Sequence, residues 1–292
     1  MPRSLAFYHP ATLEDAIGLL EEHGDEAKVV AGATALTILM RQRLIEPAAL
    51  VSIGSIAGLD RIDEVDGSLR IGAMVRHRDV ELSDLVRARI PVLAETFGKV
   101  ANVRVRNAAT VGGVLAESDY ASDPPALFAA LDAEVVARGR AGERLIPVRD
   151  FFVAFYETAL QPDEIVTGVV IPVPPVGSGT CYHKFVTRSS EDRPCVGVAA
   201  VVRLDSDGST ADLRVAVGAA AETPQRFPEV EALAAGRHLD PDLIGRIADE
   251  YAGAIDTLDD MRGSAWYRTE MVRVWVRRAI ASARDATAPA PH

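Results

Sequence analysis

Two stretches of this chain limit its fold more than any other, each running from a short apolar strand pattern through small residues into a helical one. The first is Lys28-Val29-Val30-Ala31-Gly32-Ala33-Thr34-Ala35-Leu36. The second is Val105-Arg106-Asn107-Ala108-Ala109-Thr110-Val111-Gly112-Gly113-Val114-Leu115-Ala116. Small residues let a ligand approach the backbone closely, and glycine takes φ > 0 at little cost. Amides at a helix start have no intrahelical acceptor, and the helix dipole favours an anion there. Two such turns facing each other can hold both phosphates of a diphosphate, with the hydroxyls of Thr34 and Thr110 as further donors. Taken singly, a strand–glycine–helix turn is more often structural punctuation than a phosphate site. Neither G-x-G-x-x-G nor G-x-x-x-x-G-K-[ST] occurs, which argues against a Rossmann dinucleotide domain and a P-loop.

Around these turns the N-terminal part alternates helical and strand patterns. Thr12-Leu13-Glu14-Asp15 has the form of a capped helix start, with Leu13, Ile17 and Leu20 at helical spacing and Gly24 as the stop. Residues 28–31 and 49–53 read as strands and 36–44 as a helix. Asp66-Gly67, between two strand patterns, predicts a hairpin. Helices are expected over 79–88, 91–99 and 126–131, strands over 133–137 and 164–171, and a turn over 138–143. The stretch 102–125 is too long for an ordinary connection, which marks it as functional. The sharpest shift in composition is Pro172-Val173-Pro174-Pro175-Val176-Gly177-Ser178-Gly179, where a domain boundary is expected. Beyond it, strands are expected over 180–187, 197–204 and 213–219, and helices over 227–235, 241–254 and 264–283. The Ala- and Pro-rich tail, 286–292, is expected to be disordered.

Composition closes off several functions. Lys and Arg total 31 against 42 Asp and Glu, a formal charge of −11. That balance argues against nucleic acid, where phosphate neutralisation supplies most of the affinity, and against an anionic membrane surface. An anionic ligand here must rely heavily on backbone N–H groups. No run of about 18 apolar residues occurs, and the first residues lack an apolar signal core, so the cytoplasm is the expected compartment. Cys181 and Cys195 are the chain's two cysteines, without a CxxC, so they cannot supply the four thiolates of an iron–sulfur cluster, and any such chemistry must come from a partner. His9, His23, His77, His183, His238 and His292 are scattered, which argues against a metal site. His77, flanked by Arg76 and Arg78, reads as part of a solvated surface cluster. No G-x-S-x-G elbow supports a serine hydrolase. Trp266 and Trp275 fall on the last helix, where a core or subunit-interface role is expected.

The same segments carry a resemblance. The first turn is similar to the AGG-[HT]-[SD]-L turn of the medium, FAD-binding subunits of carbon monoxide/xanthine dehydrogenase-type molybdenum hydroxylases. The second resembles their I-R-N-x-A-T-[IV]-G-G-N-[LI]-A, and Asp119-Tyr120-Ala121-Ser122-Asp123-Pro124-Pro125-Ala126-Leu127 looks like their D-P-A-S-D-x-P-P-A-L. The likeness continues in order through Ile71-Gly72-Ala73, Tyr156-Glu157-Thr158-Ala159-Leu160, Glu164-Ile165-Val166, Tyr182-His183-Lys184-Phe185 and Arg262-Gly263-Ser264-Ala265. It implies an α+β fold: a two-lobed PCMH-type FAD-binding domain over 1–176, with lobes of about 1–57 and 58–176. A C-terminal domain over 177–285, a small antiparallel sheet with helices, is expected to follow.

By the same resemblance, Val29, Val30, Ala31, Gly32, Ala33, Thr34 and Ala35 wrap the FAD diphosphate together with Thr110, Gly112, Gly113 and Val114. Asp123 matches an aspartate that contacts the adenosine ribose, and its other reading is an Asx cap on the helix opening at Pro124. Lys184 matches a lysine near the flavin, where a cation stabilises anionic reduced flavin. Without the resemblance it reads as a solvated strand residue. No residue is assigned a catalytic or metal-binding role. The implied function is electron transfer, from [2Fe–2S] clusters of a small partner subunit through FAD to an external acceptor such as NAD⁺, a quinone or O₂. Substrate oxidation falls to the molybdenum cofactor of a large subunit, in a dimer of heterotrimers.

The chain departs from the pattern at Ala33 (usually Gly), Ala35 (usually Ser or Asp), Val114 (commonly Asn) and Tyr120 (usually Pro). A φ > 0 at position 33 costs alanine about 1 kcal/mol. Two other functions stand beside electron transfer. One is a stand-alone FAD-dependent oxidoreductase on the same fold, with Tyr120, His77 and Arg193 near its substrate. The other is a structural subunit with a degenerate flavin site.

Overall fold

The computed structural model describes residues 5–287. The first lobe is built from β1 (Ala6–Tyr8), α1 (Leu13–His23), β2 (Ala27–Val30), α2 (Leu36–Arg41) and β3 (Ala49–Ser52). Its strands form a parallel sheet in the order β1-β3-β2, with Ala49 paired to both Ala6 and Ala27. Thr12 caps α1 by accepting the Asp15 amide, and the helix buries Ala16, Ile17 and Leu20. The helix α2 is shorter than the sequence predicts. Arg43 turns left-handed (φ 57) and returns the Leu44 N–H to the Leu39 carbonyl, a Schellman-type stop.

The second lobe opens with the hairpin β4 (Ile62–Val65) and β5 (Ser68–Gly72). Asp66 and Gly67 both have positive φ (49° and 74°), the type I′ geometry that Asp-Gly favours. Then come α3 (His77–Leu82), α4 (Asp84–Arg89) and α5 (Pro91–Gly98). The helix expected over 79–88 is broken in two at Ser83, whose extended backbone ends α3 and whose hydroxyl caps α4. The stretch 102–125 is not an open connection, since it holds α6 (Val103–Arg106) and α7 (Val111–Glu117) before α8 (Pro124–Ala130). Hydrophobic periodicity is too brief in such short helices to betray them. The rest is β6 (Glu134–Gly139), β7 (Gly142–Pro147), α9 (Val148–Phe151), the small hairpin β8 (Phe152–Ala154) with β9 (Glu157–Thr158), and β10 (Ile165–Pro172). The turn expected over 138–143 is tighter, Arg140-Ala141 alone. These strands form an antiparallel sheet in the order β4-β5-β10-β6-β7.

Past the proline-rich stretch, β11 (Gly179–Phe185), β12 (Val196–Leu204) and β13 (Thr210–Gly218) make an antiparallel sheet with β12 in the middle. The helices α10 (Pro228–Glu231), α11 (Pro241–Ala254) and α12 (Ala265–Asp285) complete the chain. Residues 196–202 are buried without a break because both faces of β12 are covered. Ala199 and Val201 join Phe97, Leu127 and Phe128 in the core of the second lobe. Val198, Ala200 and Val202 face Ile247, Val272 and Val276 from α11 and α12. The C-terminal sheet is therefore continuous in packing with the lobe before it. Ala286 and Thr287 close the last turn of α12 on the Ser282 and Arg284 carbonyls, so the expected disorder does not begin at 286. Residues 288–292 lie outside the described ones. No helix among the described residues is long and apolar enough to cross a membrane.

Candidate functional site

The turn after β2 keeps its amides unoccupied. Among the described residues, the N–H groups of Gly32, Ala33, Thr34 and Ala35 find no acceptor, and the Thr34 hydroxyl has no partner. The carbonyls behave differently: Ala33 accepts from Thr37, and Ala35 from Ile38 and Leu39. Ala33 sits at φ 57, the left-handed region, and Ala35 opens α2 without a side-chain cap. Serine or aspartate there, as in the pattern it departs from, would supply one. All four residues are half-buried.

The second turn lies against the first. A Cβ on Gly32 would overlap the Ala108 carbonyl oxygen, so the two segments meet backbone to backbone at a place only glycine fits. Amides of both turns were expected to face an anion, but at the second turn they are committed within the protein. Val111 donates to the Val75 carbonyl, Gly112 to the Ala73 carbonyl (both 2.9 Å), and Gly113 to the Thr110 hydroxyl (3.1 Å). Val114 donates to the Thr110 carbonyl, and its side chain is buried. The donor left over here is the Thr110 hydroxyl hydrogen, which has no acceptor among the described residues. Gly112 packs on Ala73, where a Cβ would stand 3.0 Å from the Ala73 carbonyl oxygen.

Asp123 and Lys184, distant in sequence, form one buried pair with Nζ to Oδ2 at 2.9 Å and side chains 4% and 6% exposed. Tyr182 donates its hydroxyl to the other Asp123 oxygen (2.8 Å), and Lys184 also reaches the Lys99 carbonyl (2.8 Å). Lys99 returns the tie by donating to the Tyr182 carbonyl (3.0 Å). Asp123 caps nothing, because no amide of α8 bonds its side chain, and Lys184 is not solvated. Burial raises the Asp123 carboxyl, with the Lys184 charge opposing, and burial drives the Tyr182 phenol well up. A cavity of about 690 Å³ opens beside this pair, lined by Lys99, Asn102, Arg106, Lys184, Glu191 and Trp275 among others.

A further network was invisible in the sequence. Tyr120 donates to Asp260 (2.7 Å) and accepts from Arg262 (2.9 Å), while the fully buried Arg268 holds Asp260 and the Cys195, Leu258 and Gly263 carbonyls. Burial works to raise the Asp260 carboxyl, yet hydrogen bonds from Arg268 and Tyr120 hold it well below the usual range. Tyr120 thus makes a tie across the two domains where the pattern has proline. Arg193 lies 2.6 Å from the buried Asp119 carboxylate as an ion pair without hydrogen-bond alignment. Nearby Glu117 is pushed up to about 7 by burial and the Asp119 charge, against the pull of Arg193. His77 is not part of a solvated cluster, being 2% exposed with Nε2 3.2 Å from the Thr110 carbonyl. Trp275 stacks on Phe185 under Arg278, whereas Trp266 is 72% exposed.

Comparison with known proteins agrees with this architecture along the whole chain. Residues 3–174 match the family described as the FAD binding domain in molybdopterin dehydrogenase, and residues 181–283 match the CO dehydrogenase flavoprotein C-terminal domain. The alpha subunit of the 6-hydroxypseudooxynicotine dehydrogenase complex of Paenarthrobacter nicotinovorans is 32% identical over 99% of this chain and 97% of its own length. The carbon monoxide dehydrogenase medium chain of Afipia carboxidovorans is 32% identical over 97% and 98%. Among solved structures, carbon monoxide dehydrogenase from Hydrogenophaga pseudoflava superposes with a TM-score of 0.95 at 33% identity, covering 99% of this chain and 100% of that one. Quinoline 2-oxidoreductase from Pseudomonas putida 86 gives 0.89 at 28% identity, with 97% of both chains covered.

Proposed function

The chain belongs to the FAD-binding subunits of the molybdenum hydroxylase family, an oxidoreductase family, and on that premise we propose that it is the electron-transferring subunit of a multi-subunit dehydrogenase. In this reading it takes electrons from [2Fe–2S] clusters of a small partner subunit and delivers them to an external acceptor. Substrate is oxidised at a molybdenum cofactor in a large subunit. Relatives named as subunits or medium chains of such dehydrogenases, matched end to end, support the partnership. A dimer of heterotrimers in the cytoplasm is part of the proposal, and the two free cysteines fit a reducing compartment.

The observation that carries it for this chain is the run of four unoccupied amides at Gly32–Ala35, backed directly onto the segment that leads into Thr110. Four N–H groups and the hydroxyls of Thr34 and Thr110 make a neutral donor cradle, which suits an anionic diphosphate in a chain of charge −11. Val29, Val30 and Ala31 bring the chain to that cradle. The close packing of Gly112 and Gly113, with Val114 buried behind them, keeps side chains out of it. Asp123 and Lys184 stand at the junction with the C-terminal domain as one buried pair, and in this reading the pair as a whole borders the cofactor site, rather than either charge singly serving the ribose or the flavin. Because Asp123 offsets the charge of Lys184, its effect on the flavin potential is smaller than that of a lone buried cation. FAD, when bound, supplies the redox centre, and the chain's residues bind and orient it.

The test is to purify the full chain alone and record its visible absorption before and after adding FAD. Bound flavin supports the reading, whereas a chain that takes up none is a structural subunit with a degenerate site. Co-purification with an iron–sulfur and a molybdopterin subunit separates the electron-transfer role from a stand-alone flavin enzyme.

A further inference from the structure

The second turn is splinted by the segment that follows β5. Of the three consecutive carbonyls ahead of α7, Ala108 packs against Gly32, Ala109 accepts the His77 amide (2.9 Å), and Thr110 faces the His77 ring (3.2 Å). Ala73 and Val75 hold the next two amides, and Arg76 bridges Thr110 in antiparallel fashion. His77 is the side chain that bonds the backbone of this splint. Its ring is 2% exposed and stands edge-on to Phe97, centroids 4.9 Å apart.

A carbonyl oxygen only accepts, so Nε2 carries the hydrogen and Nδ1 is the bare nitrogen. Nδ1 is buried and has no donor among the described residues. Burial, with the Arg106 charge adding to it, holds the imidazole at about 4, so the ring is neutral at ordinary pH. A buried nitrogen left without a partner is unfavourable, and an apolar ring would avoid that cost. What histidine adds at this place is one directed N–H, aimed at the residue from which the second turn springs.

We infer that His77 is a positioning residue for the flavin diphosphate, its Nε2–H bond to the Thr110 carbonyl fixing how the second turn sits against the first. The inference rests on the flavin reading above. It also accounts for how a turn whose amides are committed contributes to binding: its part is to present the Thr110 hydroxyl and a close glycine backbone at a set place.

The experiment titrates the full chain with FAD, following flavin fluorescence, in wild type and in His77→Phe, His77→Gln and His77→Asn, with thermal unfolding of each apo protein alongside. Glutamine sets its amide nitrogen near the position of Nε2, and asparagine sets its own near Nδ1. Affinity is expected to fall on the order of tenfold in the Phe and Asn variants and to stay within a few-fold in the Gln variant. Apo melting temperatures of the Phe and Gln variants are expected to stay close to wild type. If Phe folds poorly, the Gln–Asn contrast alone decides. Wild-type affinity in both the Phe and Asn variants, or equal loss in Gln and Asn, overturns the positioning role and leaves the flavin reading intact. A wild-type chain that binds no FAD overturns both.

Discussion

At the first turn four successive amides lack acceptors, Ala33 is held left-handed and α2 begins uncapped. At the second, every amide from Val111 to Val114 is bonded, Thr110 caps α7, and His77 braces the carbonyl from which the turn starts. The two look alike in sequence, yet one has amides that bond nothing in the protein and the other is a preformed support. On the proposed reading, ligand binding stabilises the first turn most, because there it supplies hydrogen bonds the protein does not make for itself. The second keeps its shape with or without a ligand. Local openings are expected to concentrate around residues 31–36 in the apo chain and to shrink with FAD, as hydrogen exchange can measure.

The largest effect should come from cutting the anchor beyond the second turn. Asp123→Ala leaves the Lys184 ammonium and the Tyr182 hydroxyl buried without their partner, a change that costs about 3–5 kcal/mol. Denaturant unfolding of the full chain measures it. A loss below about 1 kcal/mol means the support is not anchored through this pair.

Next in size are two titrations at the ends of α7. His77 is lowered to about 4 in the fold from 6.5, so between those values the unfolded chain holds the extra proton. Stability is then lost as pH falls through that window. Glu117 is raised to about 7 from 4.5, so the fold holds the extra proton, and stability is lost as pH rises from 4.5 to 7. Each effect is on the order of 2–3 kcal/mol. They oppose each other, so wild-type stability should be nearly flat where the windows overlap. Glu117→Gln removes the second effect: the variant should gain about 2 kcal/mol near neutral pH and then show the His77 slope uncovered. A variant as flat as wild type shows that the buried imidazole is not titrating as described.

A matched glycine pair tests the contrast directly. Gly112→Ala drives a Cβ into Ala73 within the bonded splint, where overpacking costs about 1–3 kcal/mol. Gly32→Ala drives a Cβ into the Ala108 carbonyl, backbone against backbone, and so should cost at least as much stability while also forcing the two turns apart and lowering FAD affinity. A Gly32→Ala chain that keeps wild-type stability and affinity would show that the turns do not meet in this way.

Legibility in the sequence followed the range of the interactions concerned. The Asp66-Gly67 hairpin, the Thr12 cap, the Pro241–Ala254 helix and the three C-terminal strands were readable because turn chemistry and periodicity are local. The breaks at Ser83 and Arg43, and the short helices within 102–125, were not, since one residue's conformation decides each. The two turns were recognisable as a pair, but not that Ala73 and Val75 occupy the second turn's amides, which is long-range pairing. Asp123, Lys184 and Tyr182 could be read singly, but their joining through β11 could not. His77 misled because its arginine neighbours suggest solvent, while its own side chain turns inward to Phe97 and Thr110.

The smallest expected effect is at Ala33. The left-handed backbone (φ 57) costs an alanine on the order of 1 kcal/mol relative to glycine. Glycine returns about 0.4–1 kcal/mol of that by loosening the unfolded chain. Ala33→Gly should therefore change stability by less than about 1 kcal/mol, and the amides around it should keep their orientation because φ is already positive. Ala33→Val is the contrasting variant, since a β-branched side chain is a true outlier at this φ and should lose more than about 1 kcal/mol. If valine is tolerated as well as glycine, the first turn does not hold the left-handed conformation in solution, and the cradle is formed by the ligand rather than before it.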